Sequence, residues 1–217
     1  MKNISFTYLL LLGCFLVKAQ TETTKIAIIN AAIIEVEQGQ LKQNQTILIE
    51  DGLIKDIRKS RKRKPKGARI IDAKGKFILP GLVDAHIHFF QSGGLYTRPD
   101  AIDLRKYVPY EEEIAWLKKE AGTIAKRYLQ AGITTIVDVG GPMYNYTIRE
   151  ALKDDKSSPS IYLTGPLVST YQPEEFKIPD PPIVKVNNTE EARALVQKQI
   201  PLKPDFIKIW FIVGADG

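Results

Sequence analysis

Cysteine is nearly missing from this chain, and histidine is almost as scarce: Cys14 is the single cysteine, and His86 and His88 are the two histidines in 217 residues. One thiol cannot close an intramolecular disulfide, so the fold must rest on its apolar core or on bound metal. Long apolar runs are scarce too. Tyr8 to Val17 is almost unbroken, but it is too short to form a stable membrane span. Nor is there a broad excess of one charge. The net charge is +6, which falls to +4 if Lys2 and Lys18 leave with an N-terminal leader. Seven of the 29 basic residues then left crowd into one stretch (Arg58, Lys59, Arg61, Lys62, Arg63, Lys64 and Lys66), and the other 22 face 25 acidic ones. The basicity is therefore local, which excludes a broad nucleic-acid-binding face. The stretch has no interleaved aromatics and ends in Pro65-Lys66-Gly67, which favours a solvated loop over a polyanion site.

What is present is ordinary for a globular protein: 44% hydrophobic and 26% charged residues, enough for one domain or two small ones. The first residues stand apart. Met1-Lys2-Asn3 is positive, the apolar run follows, and Val17-Lys18-Ala19 supplies small residues for cleavage before Gln20. This pattern predicts a secretory signal peptide over 1–19 and an exported mature protein without cysteine. Two alternatives stay open. Residues 1–19 could be a buried strand or helix, or Leu11-Leu12-Gly13-Cys14 could act as a bacterial lipobox that anchors the protein through Cys14. Against the lipobox, Phe15-Leu16-Val17 stay apolar where a lipoprotein turns polar.

Residues 20–80 read as a small all-β, sandwich-like domain. Ile26–Ile29 and Ile33–Val36 are β-branched runs, and Asp51-Gly52 between Thr46–Glu50 and Leu53–Ile57 is a strong two-residue hairpin signal. Ala73-Lys74-Gly75 between Arg69–Asp72 and Lys76–Leu79 suggests a second hairpin. From Gly81 the texture changes. Strand candidates at Leu82–Phe89, Ile133–Asp138, Ser160–Thr164 and Phe206–Phe211 alternate with helix candidates at Glu111–Gln130, Tyr146–Asp154 and Thr189–Ile200. This alternation predicts parallel α/β structure over 81–217.

The chemistry gathers in Asp84-Ala85-His86-Ile87-His88. Residues two apart on a strand share a face, so His86 and His88 can aim their imidazoles at one point, and by the same alternation Asp84 points with them. Neutral imidazole is a common zinc ligand, although such a pair can also be merely hydrogen-bonded or exposed. Lys208 sits in an apolar strand with Phe206 and Trp210 on its face. A buried lysine there must be paired, neutralised or chemically changed, unless it is salt-bridged or reaches solvent. Asp138 ends a strand before Gly140-Gly141-Pro142, where a capping or loop role is favoured over an anion-binding one.

The stretch Phe77 to Phe89, with Pro80-Gly81-Leu82-Val83-Asp84-Ala85-His86-Ile87-His88 at its centre, resembles the opening barrel strand of the amidohydrolase superfamily. There a Pro-Gly-x-Val/Ile-Asp-x-His-x-His segment leads from a small β domain into a (β/α)8 barrel. The resemblance implies an incomplete TIM barrel, namely its first four strands, with the active site at the strands' C-terminal ends. It implies His86 and His88 as ligands of a divalent metal, zinc first, in a site of one or two ions. Lys208, at the end of the fourth strand, would be carbamylated and bridge two ions. Asp84 would support the site rather than bind metal.

The family pattern continues with histidines on the fifth and sixth strands and an aspartate on the eighth. No histidine follows His88, and Asp216 comes too soon to be that aspartate. The resemblance therefore covers residues 24–217, about half of a complete member, as expected of a piece of a longer protein or of a truncated gene. The catalytic base is unassigned. The activity implied is metal-assisted hydrolysis of a C–N bond in a small amide, cyclic amide or peptide, as in imidazolonepropionase-like and dipeptidase-like enzymes. No nucleic-acid partner and no stable membrane span are expected, and homo-oligomerisation is left open. The segment Phe90–Tyr110 could form a pocket wall or lid. A truncated, non-enzymatic exported remnant and a metal-dependent esterase or phosphotriesterase stand as alternatives.

Overall fold

A computed structural model describes residues 24–89 and 102–212, so the leader and most of the Phe90–Tyr110 segment lie outside the described residues. The chain divides into two compact units, one ending at Pro80 and the other starting at Gly81.

In the first unit the two early β-branched runs belong to one strand, β1 (Lys25–Glu35), which pairs antiparallel with β2 (Gln40–Glu50). Between the runs β1 is irregular at Asn30, whose φ is 59° and whose N–H donates to Ser60 Oγ at 3.0 Å. The β2–β3 hairpin forms as the Asp51-Gly52 dipeptide demands. Asp51 and Gly52 take φ of 51° and 78°, the left-handed pair of a type I′ turn, and Glu50 faces Leu53 of β3 (Leu53–Lys59).

The second expected hairpin does not form. β4 (Arg69–Asp72) and β5 (Phe77–Ile78) both run parallel to β1, one after the other, and do not pair with each other. Ala73 N–H donates to Ile29 O (2.8 Å) and Ala32 N–H donates to Lys76 O (3.1 Å), so Ala73-Lys74-Gly75 only loops out before the chain rejoins β1. Folding back on itself would leave the edge of β1 without partners. All five strands make a single sheet over a small core of Ala27, Ala31, Ile47 and Ala73, and the second layer of a sandwich is not among the described residues. The seven clustered basic residues are all exposed, and Arg58 alone of them is ion-paired among the described residues, with Asp56 at 2.8 Å.

In the second unit β6 (Leu82–Ile87), β7 (Ile133–Asp138) and β8 (Ser160–Leu163) form one parallel sheet. After a three-residue break the chain resumes as β9 (Leu167–Ser169), which pairs in parallel with β10 (Ile183–Lys185) on one side and β11 (Ile209–Trp210) on the other. The expected alternation holds, with β9 and β10 added after the third strand. Of the expected fourth strand only Ile209–Trp210 is regular. Its approach is already paired, since Asp205 N–H donates to Leu163 O (2.9 Å) and Val168 N–H donates to Lys208 O (3.0 Å).

Helices α1 (Tyr110–Gln130), α2 (Asn145–Leu152) and α3 (Thr189–Gln199) lie against β7, β8 and β9 in turn. The apolar stripe of α1 is the one its spacing predicts. Leu117, Ala121 and Ile124 are buried against Ile87, Ile136 and Ile148, and burying one such Leu or Ile side chain contributes about 1.5–3 kcal/mol. Glu111, Glu112 and Glu113 complement the helix N-terminus, and Gly132 stops the helix at φ 82°. α3 is capped reciprocally: Asn188 Oδ1 accepts from Glu191 N–H (2.9 Å), and Glu191 accepts from Asn187 N–H (2.8 Å). Gly81 has a steric reason to be glycine. A Cβ there would sit 2.0 Å from Thr134 Oγ1 and 2.8 Å from Thr134 Cβ, on the strand that β6 joins.

β6 and β11 are paired on one side only among the described residues, and Leu82, Val83, Ile209 and Phe211 expose apolar side chains there. No helix among the described residues is long and apolar enough to cross a membrane.

Candidate active site at the C-terminal end of the parallel strands

His86 and His88 lie together where β6 ends. Their ring centroids are 5.4 Å apart in an edge-to-face arrangement, with His86 exposed and His88 half-buried. Between them Ile87 points into the core below α1, so the two imidazoles take the opposite face. His88 Nδ1 is 2.7 Å from Gly140 O. A carbonyl can only accept, so Nδ1 carries the proton, and in the neutral ring the lone pair is on Nε2.

The alternation does not extend back to Asp84. β6 carries an extra residue relative to β7 between Asp84 and Ile87, and Asp84 pairs opposite the buried Ile136. The bulge thus turns Asp84 away from the face the histidines share. Its Oδ1 accepts the His86 N–H at 3.2 Å. Burial raises the Tyr128 hydroxyl of α1, and the charge of Asp84 adds to that rise.

Gly140 belongs to the loop that leaves β7, and this loop is tightly held. Asp138 is fully buried; its carboxyl accepts from Gly140 N–H (3.2 Å), from Asn145 Nδ2 (2.7 Å) and from the backbone N–H of Phe89. Burial pushes the Asp138 carboxyl up to about 7, and those hydrogen bonds work in the other direction. Gly140 has φ 139°, and a Cβ there would lie 2.2 Å from Leu167 Cδ1. The next N–H, that of Gly141, donates to Gly165 O at 3.2 Å.

Gly165 lies in the break between β8 and β9, which Gln199 fastens from the end of α3. Gln199 is fully buried. Its Oε1 accepts from Gly165 N–H (2.9 Å) and Tyr146 Oη–H (3.0 Å), and its Nε2 donates to Pro166 O (3.2 Å). Arg149 of α2 fixes the segment that leads to β11, with bonds to Asp205 Oδ2 (2.9 Å), Lys203 O (2.9 Å) and Leu202 O (2.8 Å).

Lys208 is half-buried just before β11, as are Phe206, Ile207 and Trp210, while Ile209 and Phe211 are exposed. Trp210 packs on the core. The structure thus brings His86 and His88 together and sets Lys208 on the strand segment beside β9. No group of three or more His, Cys, Asp and Glu side chains comes together among the described residues. The donor set nevertheless fits a zinc-like ion in part. Two imidazoles share a face, and one is oriented through its second nitrogen by a backbone carbonyl, as metal-binding histidines commonly are. Sequence reasoning missed Gly140, Asn145 and Gln199. The His88–Gly140 bond spans 52 positions, and the only local signal was the Asp138-to-Pro142 strand-to-helix loop.

Comparison with known proteins agrees with this geometry. Residues 77–209 match the model of the amidohydrolase family. An enamidase from Eubacterium barkeri is 33% identical over 115 residues, covering 51% of this chain and 24% of that protein. A dihydroorotase from Carboxydothermus hydrogenoformans is 36% identical over 73 residues, covering 34% of this chain and 16% of that protein. Among solved structures, a prolidase complexed with N-methylphosphonate-L-proline shares the fold at TM-score 0.65 and 20% identity, over 86% of this chain and 46% of that one. The matched stretches thus span less than half the length of these relatives. With the motif, the parallel α/β order and a match over most of the chain, the protein belongs to the amidohydrolase family.

Proposed function

We propose that this chain supplies the first half of the active site of a metal-dependent hydrolase acting on C–N bonds of small amides, cyclic amides or peptides. The carrying observation is the His86/His88 pair at the end of β6, with the His88 ring fixed by the Gly140 carbonyl at 2.7 Å. The named relatives point to the same bond class, since an enamidase, a dihydroorotase and a prolidase all bear C–N hydrolase names.

In this reading His86 and His88 are the first ligands of a divalent ion, zinc first. Lys208 would join them as its carbamate, formed when the deprotonated amine adds CO2 and releases a proton, which would put an anionic ligand where the half-buried cation stood. When bound, the metal supplies Lewis-acid chemistry, lowering the pKa of water and polarising a carbonyl. The chain's own residues bind and orient: Gly140 O sets the His88 tautomer, and the β9–β11 pairing places the Lys208 backbone. Further strands, carrying the remaining ligands and the general base, would cover the apolar residues exposed on β6 and β11. Residues 1–19 would direct export and be cleaved after Ala19, or else Cys14 would carry a lipid.

The test is the metal content of the complete protein against its His86→Ala/His88→Ala variant. About two ions per chain, lost in the variant, support a binuclear site with Lys208 as bridge; about one keeps the hydrolase and removes Lys208 from the ligand set. A folded protein grown with metal that holds no ion would refute the hydrolase reading and leave the non-enzymatic remnant. Paired amide and ester substrates then separate amidase from esterase.

A further inference from the structure

We infer that Asp138 is a positioning residue for His88, acting through the N–H of Gly140, the residue whose carbonyl meets the ring, and through the N–H of Phe89. The inference rests on the reading of His88 as a metal ligand and assigns that ligand its support.

Asp138 is fully buried and makes no ion pair among the described residues, so a carboxyl group there needs a reason. Its bonds supply one. One oxygen accepts from Gly140 N–H at 3.2 Å, the other accepts from Asn145 Nδ2 at 2.7 Å, and the carboxyl also takes the N–H of Phe89, the residue after His88. The carboxyl therefore ties the end of β6 to the end of β7 on either side of the imidazole. The Gly140–Gly141 peptide itself is held at both of its polar atoms. Its carbonyl meets His88 Nδ1 at 2.7 Å, and its N–H donates to Gly165 O at 3.2 Å. Gly140 must be glycine for this, because φ is 139° and a Cβ would strike Leu167. Rotation of that peptide would withdraw the acceptor from Nδ1 and free both the ring's tilt and its tautomer. The Gly165 carbonyl holds that peptide directly, and Asp138 holds the preceding N–H of Gly140 and with it the backbone from which the peptide projects.

Asn145 fits the same account. Its Oδ1 is buried without a partner, so its amide can turn and present an acceptor instead of a donor. Asp138→Asn can therefore keep every bond, with the new amide oxygen accepting from the two backbone N–H groups and the new NH2 donating to Asn145 Oδ1. Asp138→Ala keeps none.

The experiment titrates Co2+ into the complete protein, freed of metal, and into Asp138→Ala, Asp138→Asn and Asn145→Ala. It reads the visible Co2+ absorption, the dissociation constant, and the rise in Tm that metal produces. Loss of support outside the ligand shell weakens metal binding by about 10–100-fold, and one layer further out the lower end applies. Asp138→Ala should bind about tenfold more weakly with an altered spectrum, Asn145→Ala should be weakened several-fold, and Asp138→Asn should stay near wild type. A purely structural role would lower the metal-free Tm and leave the metal-induced rise and the spectrum unchanged. Folded Asp138→Ala with wild-type affinity and spectrum overturns the inference, as does Asp138→Asn as weak as Asp138→Ala, because charge rather than the clamp would then act. If Asp138→Ala does not fold, Asn145→Ala with wild-type affinity overturns it. A wild-type protein that takes up no Co2+ instead sinks the metal-site reading itself.

Discussion

Replacing Gln199 by leucine removes the acceptor of Tyr146 Oη–H, Gly165 N–H and Thr164 Oγ1–H and the donor to Pro166 O, so four buried polar groups lose a partner. Each such group costs about 1–3 kcal/mol. The leucine regains some apolar burial, so the expected net loss is about 3–5 kcal/mol. The comparison variant is Gln199→Glu. It keeps an oxygen for Tyr146 and Gly165, and its carboxyl, held protonated by burial, can donate O–H to Pro166 O, so it should cost less than leucine. Urea unfolding of the complete protein, followed by far-UV circular dichroism, reads both. With an m-value of about 3 kcal/mol/M, Gln199→Leu should lower the midpoint by at least about 1 M. The break between β8 and β9 should loosen with it, and since Gly165 O holds Gly141 N–H, metal affinity should fall alongside. A Gln199→Leu midpoint within about 0.2 M of wild type would show that these bonds are replaced without loss and that Gln199 is no lock.

Gly81→Ala should destabilise the second unit by about 1–3 kcal/mol, because its Cβ would fall 2.0 Å from Thr134 Oγ1; adding Thr134→Gly should recover most of that loss in the same unfolding assay. Absence of recovery would place the cost in the backbone rather than in the contact. Asp138 predicts a pH dependence in the metal-free protein. Its carboxyl is raised from 3.8 to about 7 in the fold, so the unfolded chain gives up this proton first. Stability from this group is therefore full below pH 4 and declines up to about pH 7, by on the order of a few kcal/mol, with no further loss above. The difference between wild type and Asp138→Asn, measured from pH 4 to 8, should show that slope, and equal slopes would refute it.

Much of this protein could be read from neighbouring residues alone, because the physics involved is local. Asp51-Gly52 dictates its hairpin through two positive φ values, and the 3.6-residue spacing of Leu117, Ala121 and Ile124 dictates the buried face of α1. The alternation of His86 and His88 puts two rings on one face, and the Pro-Gly-to-His-x-His stretch carries the family. Where an edge or a long-range contact chose between options, local reasoning failed. Ala73-Lys74-Gly75 looked like a hairpin, yet the open edge of β1 took both flanking segments in parallel. A bulge with no local signature turned Asp84 from the histidines' face, since register depends on the neighbouring strand. The support of His88 lay furthest from view. Gly140, Asn145 and Gln199 are ordinary polar or small residues until folding excludes water around them, and only then does each unpaired N–H or carbonyl need a partner brought from far along the chain.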